Sequence, residues 1–195
     1  MKVLVACEFS GTVRDAFRAL GHDAMSCDFL PSERPGPHHQ GDVRDVLRQR
    51  WDLMIAHPPC TYLASSGLHW NSRVKGRAEK TEEALAFVQM LMEASGAAAW
   101  CIENPIGCIS TRLRKPDQII QPWQYGHDAA KATCLWLKGL PLLVPTEIPE
   151  GGKSARRANQ TASGQNRLGP SPDRWKLRSV TYPGIAAAMA AQWGK

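Results

Sequence analysis

Short runs of apolar residues alternate along this chain with stretches of helical periodicity, and this alternation constrains its fold more than any other feature. Apolar runs of strand length occur at 2–6, 23–28, 52–56, 98–102 and 132–137. Apolar side chains recur at helical spacing at 13–20, 81–95 and 183–193. Buried strands that alternate with helices predict an α/β fold built on a doubly wound, mostly parallel sheet.

Length and composition fit a single globular domain over residues 1–195. A chain of 195 residues can bury a core, and 43% of its residues are hydrophobic and 22% charged. No run approaches the roughly 20 apolar residues of a membrane helix, so we expect no membrane partner. The first apolar run begins at Lys2 without a signal peptide before it, and we therefore expect a cytoplasmic protein.

The pattern of cysteines and histidines gives no sign of a metal site. The six cysteines include no C-x-x-C pair, which predicts free thiols in a reducing cytosol rather than a zinc knuckle. His38 and His39 are adjacent, but no further ligands lie at a suitable spacing, and we interpret them as a solvated pair in a loop. We expect no bound metal ion.

A basic, polar segment at about 147–178 is predicted to form a surface loop. The formal net charge of the chain is +6, which favours a polyanionic partner or an anionic substrate. From residue 153 onward the segment carries one acid, Asp173, and the basic residues Lys153, Arg156, Arg157, Arg167, Arg174, Lys176 and Arg178. Arg156 and Arg157 are candidates for phosphate contacts, although a flexible surface loop has a similar composition.

Polar residues follow the apolar runs at the points where the predicted strands end. They occupy positions 8–11, 28, 58–60 and 103–105. In parallel α/β sheets, ligands bind in the crevice outside the carboxyl ends of the strands. The sequence therefore predicts that these residues form one active site.

The residues after the first two strands suit a nucleoside cofactor. Phe9, Ser10 and Gly11 form the turn before the first helix, where a glycine lets the backbone approach a ligand closely. Asp28 ends the second strand, where a carboxylate can accept hydrogen bonds from both ribose hydroxyls. Asp42 could accept a hydrogen bond from an adenine amino group. The simpler interpretations are a tight turn, a solvated acid and an N-cap, respectively.

The motif His57-Pro58-Pro59-Cys60 follows the third strand and carries the most specific signal. Two prolines fix the backbone, and a thiolate just beyond them would be a preorganised nucleophile. Glu103 ends the next strand and could bind the ring nitrogen and amino group of cytosine. In its protonated form it would make the base a better electrophile at carbon 6. A passive turn cysteine and a capping acid are the alternatives.

In chain order these motifs resemble those of the cytosine-5 DNA methyltransferases. The Pro-Pro-Cys motif and the Glu103-Asn104 pair are the most specific part of the resemblance, and the segment 181–186 resembles the last motif of the family. The resemblance implies a Rossmann-like fold that binds S-adenosyl-L-methionine. It implies that the cofactor contacts Phe9, Ser10, Gly11, Asp28, Asp42 and Pro58.

The same resemblance implies a reaction. Cys60 would attack carbon 6 of a cytosine, and carbon 5 would take the methyl group. Glu103 would hold the pyrimidine edge, and a base would then remove the proton from carbon 5. Pro59 and Asn104 would lie at the substrate.

The chain also departs from the family pattern. Arg14 stands where the family has a further glycine, and Thr61 stands where it often has glutamine. No Gln-x-Arg-x-Arg motif is present, and Lys131 is a candidate for its electrostatic role. The large target-recognition region is missing. Trp70, ten residues past the cysteine, could stack on a flipped base or a free nucleotide.

Three functions remain open at this point. The first is methyl transfer from S-adenosylmethionine to cytosine in DNA, with the basic segment on phosphates. The second is the same chemistry on a free deoxycytidine nucleotide, whose phosphate the arginines would hold. The third is a non-catalytic nucleic-acid-binding relative or accessory subunit, for which an intact cysteine and glutamate would be unnecessary.

Overall fold

A computed structural model describes residues 1–94, 96–163 and 166–195. The end of the helix predicted over 81–95 lies at Ser95, outside the described residues, as do residues 164–165 of the basic segment. Among the described helices, none is long and apolar enough to cross a membrane.

A seven-stranded sheet forms the centre of the structure. Its strands are Lys2–Ala6 (β1), Asp23–Asp28 (β2), His38–Gln40 (β3), Trp51–Ala56 (β4), Ala97–Pro105 (β5), Gln118–Ile120 (β6) and Thr133–Lys138 (β7). Their order is β3-β2-β1-β4-β5-β7-β6. β7 runs antiparallel to β5 and to β6, and the pairs from β3 through β5 are parallel. The predicted mostly parallel sheet is therefore confirmed.

Helices cover both faces of this sheet, as a doubly wound fold requires. The helices are Thr12–Ala19 (α1), Arg44–Leu47 (α2), Ser65–Leu68 (α3), Arg77–Ala94 (α4), Ile109–Arg112 (α5), Arg174–Ser179 (α6) and Pro183–Trp193 (α7). On one face, Phe17 of α1 and Met189 of α7 pack on the sheet. On the other face, Val88 and Leu91 of α4 do so. Each such fully buried side chain stabilises the fold by about 1.5–3 kcal/mol.

The order of the sheet reverses between β1 and β4, and this reversal positions the candidate site. From β1 the chain proceeds outward through β2 and β3, whereas β4 and β5 lie on the opposite side of β1. Ala6 and Ala56, the last residues of β1 and β4, pair with each other, and the His57 N–H donates to the Ala6 carbonyl over 2.9 Å. The segments that follow β1 and β4 then leave the sheet in different directions, which opens a crevice at this topological switch point.

The turn from β1 into α1 is held by a buried carboxylate. Glu8 is 4% exposed, and its Oε1 accepts a hydrogen bond from the Val13 N–H over 2.6 Å. Its Oε2 accepts from the Arg14 N–H over 3.2 Å. Gly11 has φ of 71°, the left-handed conformation that side chains disfavour. A carboxylate at the start of a helix accepts hydrogen bonds from N–H groups that have no partner within the helix. Its negative charge also interacts favourably with the positive end of the helix dipole.

The main differences from the sequence-based expectations are short elements. His38 and His39 do not form a solvated loop pair but belong to β3, which pairs with β2. Neither β3 nor β6 was expected, because three-residue strands carry no periodicity. β5 continues through Glu103 to Pro105 because β7 pairs with these residues. Within the predicted basic loop, Gly152–Ser154 forms a 3-10 helix and α6 begins at Arg174.

Arg14, which stands where the resembled family has a glycine, is fully buried. Its guanidinium donates to the hydroxyls of Ser26 and Ser32 and to the carbonyls of Arg34 and Pro35, over 3.0 to 3.2 Å. This one side chain therefore ties α1 to β2 and to the loop that follows β2.

Arg14→Met is expected to lower the free energy of unfolding by about 2–4 kcal/mol, because several buried polar groups lose their partner. Arg18→Met, on the exposed side of the same helix, is the matched control and should change it by no more than about 0.5 kcal/mol. Urea titrations of the two variants measure both values. Equal effects of the two substitutions would contradict the assigned role of Arg14.

Candidate active site

A cleft of about 350 Å³ opens beside the switch point, within the size range of small-ligand sites. Its walls include the carboxylates of Asp28 and Asp42, and Pro59 lies at its edge. The other lining residues are Cys7, Cys27, Phe29, Gly41, Val43, Arg44, Tyr62, Lys80, Glu83, Ala84 and Phe87. The cleft therefore combines three acids, Asp28, Asp42 and Glu83, with aromatic and aliphatic walls.

A much smaller chamber of about 40 Å³ lies on the other side of Cys7, which lines both spaces. Phe9, Ser10 and His57 contribute to its walls from the ends of β1 and β4. Its remaining walls are Glu8, Ser179, Val180 and Thr181. Cys7 has φ of 58°, a strained conformation for a residue other than glycine.

Four of the six predicted cofactor residues line these two spaces, and Gly11 and Pro58 line neither. Asp28 and Asp42 line the cleft, whereas Phe9 and Ser10 line the chamber. Gly11 provides the turn beside them. Burial raises the pKa of Asp28 above its ordinary value, although the Leu30 N–H, which donates to its Oδ1 over 2.9 Å, acts in the opposite direction.

Asp42 also has a local role, but it is not the N-cap that was its simpler interpretation, because Val43 occupies that position of α2. Its Oδ1 accepts from the Arg44 N–H over 2.9 Å, and its Oδ2 pairs with the Arg44 guanidinium over 2.8 Å. These contacts hold the pKa of Asp42 below its ordinary value.

The loop that carries Cys60 is anchored by the neighbouring strand β5. Pro58 is buried, and its carbonyl accepts a hydrogen bond from Asn104 Nδ2 over 2.7 Å. Beyond Cys60 the chain turns at once, because the N–H groups of Leu63 and Ala64 donate to the Cys60 carbonyl over 3.0 and 2.9 Å. The predicted role of Asn104 at a substrate is thus accompanied by a direct structural role.

A glycine past the end of β5 allows this loop to approach closely. Gly107 bridges to Ala64, and a Cβ atom at Gly107 would collide with the Leu63 carbonyl. The Cys60 loop and the segment after β5 therefore pack backbone against backbone.

Cys60 and Glu103 are electrostatic neighbours. Burial, and next the Glu103 carboxylate, raise the pKa of the Cys60 thiol above its ordinary value, while the charges of Lys131 and Arg178 lower it. The thiol is therefore mainly protonated at neutral pH in the free protein. Cys60 is nevertheless partly accessible, whereas Cys27, Cys101, Cys108 and Cys134 are buried.

Glu103 is paired with His57, a residue of the motif at 57–60 for which no role was predicted. His57 Nδ1 lies 2.8 Å from Glu103 Oε2, and the two side chains are only 8% and 11% exposed. Burial alone would raise the pKa of Glu103, but the hydrogen bond from His57 and the charge of Lys131 prevail and hold it below its ordinary value. Glu103 is therefore ionised at neutral pH in the free protein, in contrast to the protonated form considered above.

Lys131 places positive charge near Glu103 and Cys60. Its Nζ donates to the Arg178 carbonyl over 2.8 Å, and its N–H donates to Gln121 Oε1 over 3.0 Å. The end of α6 is thereby connected to the segment before β7.

The more peripheral predicted residues differ in exposure. Trp70 is 45% exposed, with the Arg73 guanidinium 5.8 Å from its ring centroid. Arg156 is exposed, but Arg157 is only 5% exposed and its guanidinium lies 5.2 Å from the Trp123 ring and bonds to the Gly152 carbonyl. Of the two arginines, Arg156 alone is presented to solvent for a phosphate.

Several residues of the site were missed from sequence. Tyr62 and Phe87 line the cleft and Arg178 acts on Cys60, although they lie far from one another along the chain. Only folding could reveal these contacts. His57 could have been recognised from the sequence, because it belongs to the same four-residue motif as the candidate nucleophile Cys60.

Within the described ranges, no group of three or more His, Cys, Asp or Glu side chains is arranged to hold a metal ion.

Comparisons with known proteins find similarity among solved structures but not in sequence. No family model matches the chain, and no curated protein matches it in sequence. Among solved structures, it is similar to a presumed DNA modification methyltransferase encoded within an E. coli prophage, at 13% identity and a TM-score of 0.47. The match covers 75% of this chain and 51% of that one, so the chain spans about half the length of the other protein. Roles of residues therefore rest on the site itself.

The electrostatics of Cys60 predict how fast the thiol is alkylated. Lys131→Met removes a positive charge that favours the thiolate, so iodoacetamide should react with Cys60 several-fold more slowly at pH 8. Glu103→Gln should have the opposite effect. Lys138→Met, at the exposed end of β7, is the control. Peptide mass spectrometry measures the rates, and equal rates in all variants would refute this electrostatic account.

Proposed function

We propose that the chain transfers a methyl group from S-adenosylmethionine to carbon 5 of cytosine in DNA, with Cys60 as a covalent nucleophile. The observation that carries the proposal is the arrangement at the switch point. An accessible thiol after β4 lies beside an ionised carboxylate on β5, next to a cleft that contains the further acids Asp28, Asp42 and Glu83. A binding module would have no need for a nucleophile and a carboxylate arranged in this way.

The cleft fits a nucleoside cofactor. Asp28 ends β2, where its carboxylate can accept hydrogen bonds from ribose hydroxyls. Val43, Phe87 and Tyr62 offer apolar and aromatic walls to a flat base, and Asp42 offers an acceptor to an amino group. The bound cofactor would supply an electrophilic methyl group, and Cys7 links its cleft to the chamber beside Glu103.

Cys60 would act on carbon 6 of the cytosine. Its protonated resting state protects the thiol from side reactions, because only the thiolate is strongly nucleophilic. Thiolate formation is then coupled to substrate binding, with Lys131 and Arg178 favouring the anion. The new sulfur–carbon bond gives carbon 5 the electron density that it needs to take the methyl group.

Glu103 would hold the edge of the pyrimidine. As a carboxylate it would accept a hydrogen bond from the amino group of cytosine. A proton held between the carboxylate and the ring nitrogen would offset the negative charge that develops on that nitrogen. Asn104, next to it, keeps the Cys60 loop in position through the Pro58 carbonyl. The two residues of the Glu-Asn pair thus divide the tasks of holding the base and holding the nucleophile.

DNA is proposed as the acceptor because a positive net charge and exposed arginines suit a polyanion. Arg73, Arg156 and Arg167 are exposed, and the net charge is +6. Trp70 provides an exposed ring on which an unpaired base could stack. With no large recognition module in the sequence, we expect little sequence selectivity.

Product analysis tests the acceptor. The chain is incubated with isotopically labelled S-adenosylmethionine and either DNA oligonucleotides or deoxycytidine monophosphate, and nucleosides are identified by mass spectrometry. We expect 5-methyldeoxycytidine from DNA, with single- and double-stranded oligonucleotides tested separately. Label in the free nucleotide alone would replace DNA by the nucleotide, and label in neither would refute the proposal.

Cys60→Ser should reduce formation of 5-methylcytosine to less than about a tenth of wild type, because an alcohol is a far weaker nucleophile at neutral pH than a thiolate. Thiol and hydroxyl are close in size, so the thermal melting temperature should change little. Thr61→Ala, at the exposed neighbouring position, is the control and should retain activity. Activity of Cys60→Ser near the control level would exclude covalent catalysis by this residue.

Asp28→Asn should weaken S-adenosylmethionine binding by roughly ten- to hundredfold, since hydrogen bonds to a charged acceptor contribute about 1.5–3 kcal/mol. Asp23→Asn, at the exposed start of the same strand, is the matched control. Calorimetry measures both affinities. If the two variants bind equally well, the cofactor lies elsewhere.

A further inference from the structure

The proposed reaction requires a group that removes the proton from carbon 5, and His57 occupies a suitable position for one. It directly follows β4, and its N–H donates to the Ala6 carbonyl at the end of β1. Its ring reaches β5, where Nδ1 lies 2.8 Å from Glu103 Oε2. The ring therefore spans the crevice between the cofactor side and the pyrimidine side of the site.

Among the residues that the structure describes, the second ring nitrogen of His57, Nε2, is buried and has no hydrogen-bond partner. Buried polar atoms in native proteins almost always have a partner. His57 also lines the small chamber, together with Ser10 and Thr181. The ring thus brings an unpaired nitrogen to the part of the site where the chamber lies.

Glu103 determines which nitrogen carries the proton. An ionised carboxylate can only accept hydrogen bonds, so His57 Nδ1 bears the hydrogen in the contact with Glu103. In the neutral form of the ring, the lone pair then lies on Nε2. The carboxylate also stabilises the imidazolium that forms when Nε2 takes up a proton. The same logic makes a histidine a base in carboxylate–histidine pairs of hydrolases.

The other titratable groups around the chamber are unsuited to this task. The Glu8 carboxylate already accepts from the N–H groups of Val13 and Arg14 at the start of α1. Burial, with Asp28 nearby, raises the pKa of the Cys7 thiol. Lys131 lies in the segment before β7 and acts on Glu103 as a cation. Its Nζ donates a hydrogen bond to the Arg178 carbonyl.

We propose that His57 is the base that removes the proton from carbon 5 after methyl transfer, an inference that rests on the proposed function. Carbon 5 is bonded to carbon 6, which Cys60 attacks, and His57 precedes Cys60 by three residues on the same rigid loop. The chamber adjoins the cofactor cleft at Cys7.

The step balances in atoms and electrons. Nε2 of His57 takes the proton from carbon 5, and the electrons of that carbon–hydrogen bond re-form the double bond between carbons 5 and 6. The sulfur–carbon 6 bond breaks, and its electron pair leaves with Cys60 as a thiolate. The imidazolium returns its proton to the thiolate or to water.

The test separates adduct formation from proton removal. His57→Asn keeps an amide donor near Glu103 but has no basic nitrogen at the Nε2 position. The substrate is DNA with tritium at carbon 5 of cytosine, and the cofactor carries a labelled methyl group. Tritium release reports proton removal, and a denaturation-resistant protein–DNA adduct reports the intermediate.

For His57→Asn we expect tritium release to fall by about a hundredfold, within the range of general base catalysis, while a methylated adduct accumulates. The control is His22→Asn, which should behave as wild type. His22 precedes β2 and lies beside Met1 at the start of β1, whereas His57 lies at the other end of that strand. If the variant releases tritium at the wild-type rate, or loses methyl transfer without accumulating adduct, His57 is not the base.

A second variant addresses misfolding and the dependence on the proposed function. Tritium release by His57→Ala should recover when imidazole is added, because the missing ring leaves space for a free base; absence of rescue in a folded variant would contradict the inference. Thermal melting and calorimetric cofactor binding verify the fold. If wild type itself leaves no methyl group on cytosine, the proposed function fails. If wild type methylates and both histidine variants match it, the base role alone fails.

Discussion

The position of β4, between β1 on one side and β5 on the other, is the constraint on which the rest of the structure depends. Because all three strands are parallel, their carboxyl ends meet at one edge of the sheet. The turn after β1 leads into α1, and the residues after β4 instead form the Cys60 loop. This divergence opens the cleft on one side and brings Cys60 toward Glu103 of β5 on the other.

Two hydrogen bonds from β5 hold this arrangement. Asn104 Nδ2 fixes the Pro58 carbonyl, and Glu103 Oε2 fixes the ring of His57. Both side chains are buried, so water competes little for either contact. β7 pairs antiparallel with these residues and thereby extends β5 to the point where they are needed. Adjacent residues of one strand thus position both the proposed nucleophile and the proposed base.

Much of the fold was predictable because its longer elements show clear periodicity. β2 and α7 have the predicted bounds, whereas α4 begins four residues earlier than the periodicity indicated. The ends of the parallel strands located the site, since Asp28, Cys60 and Glu103 all follow or end apolar runs. Partners formed across the sheet could not be predicted: the His57–Glu103 pair joins residues 46 apart in sequence. Nor does a basic composition distinguish the exposed Arg156 from the buried Arg157.

The central claim is that Cys60 forms a covalent bond with a cytosine. An oligonucleotide containing 5-fluorocytosine tests it most directly, because fluorine cannot leave carbon 5 as a proton does and the adduct is trapped. Intact-protein mass spectrometry, followed by peptide mapping, measures the result. The account predicts a species with the combined mass of protein, oligonucleotide and one methyl group, attached at Cys60. Methylation of unmodified cytosine without any trapped species, or attachment at a different cysteine, would contradict it.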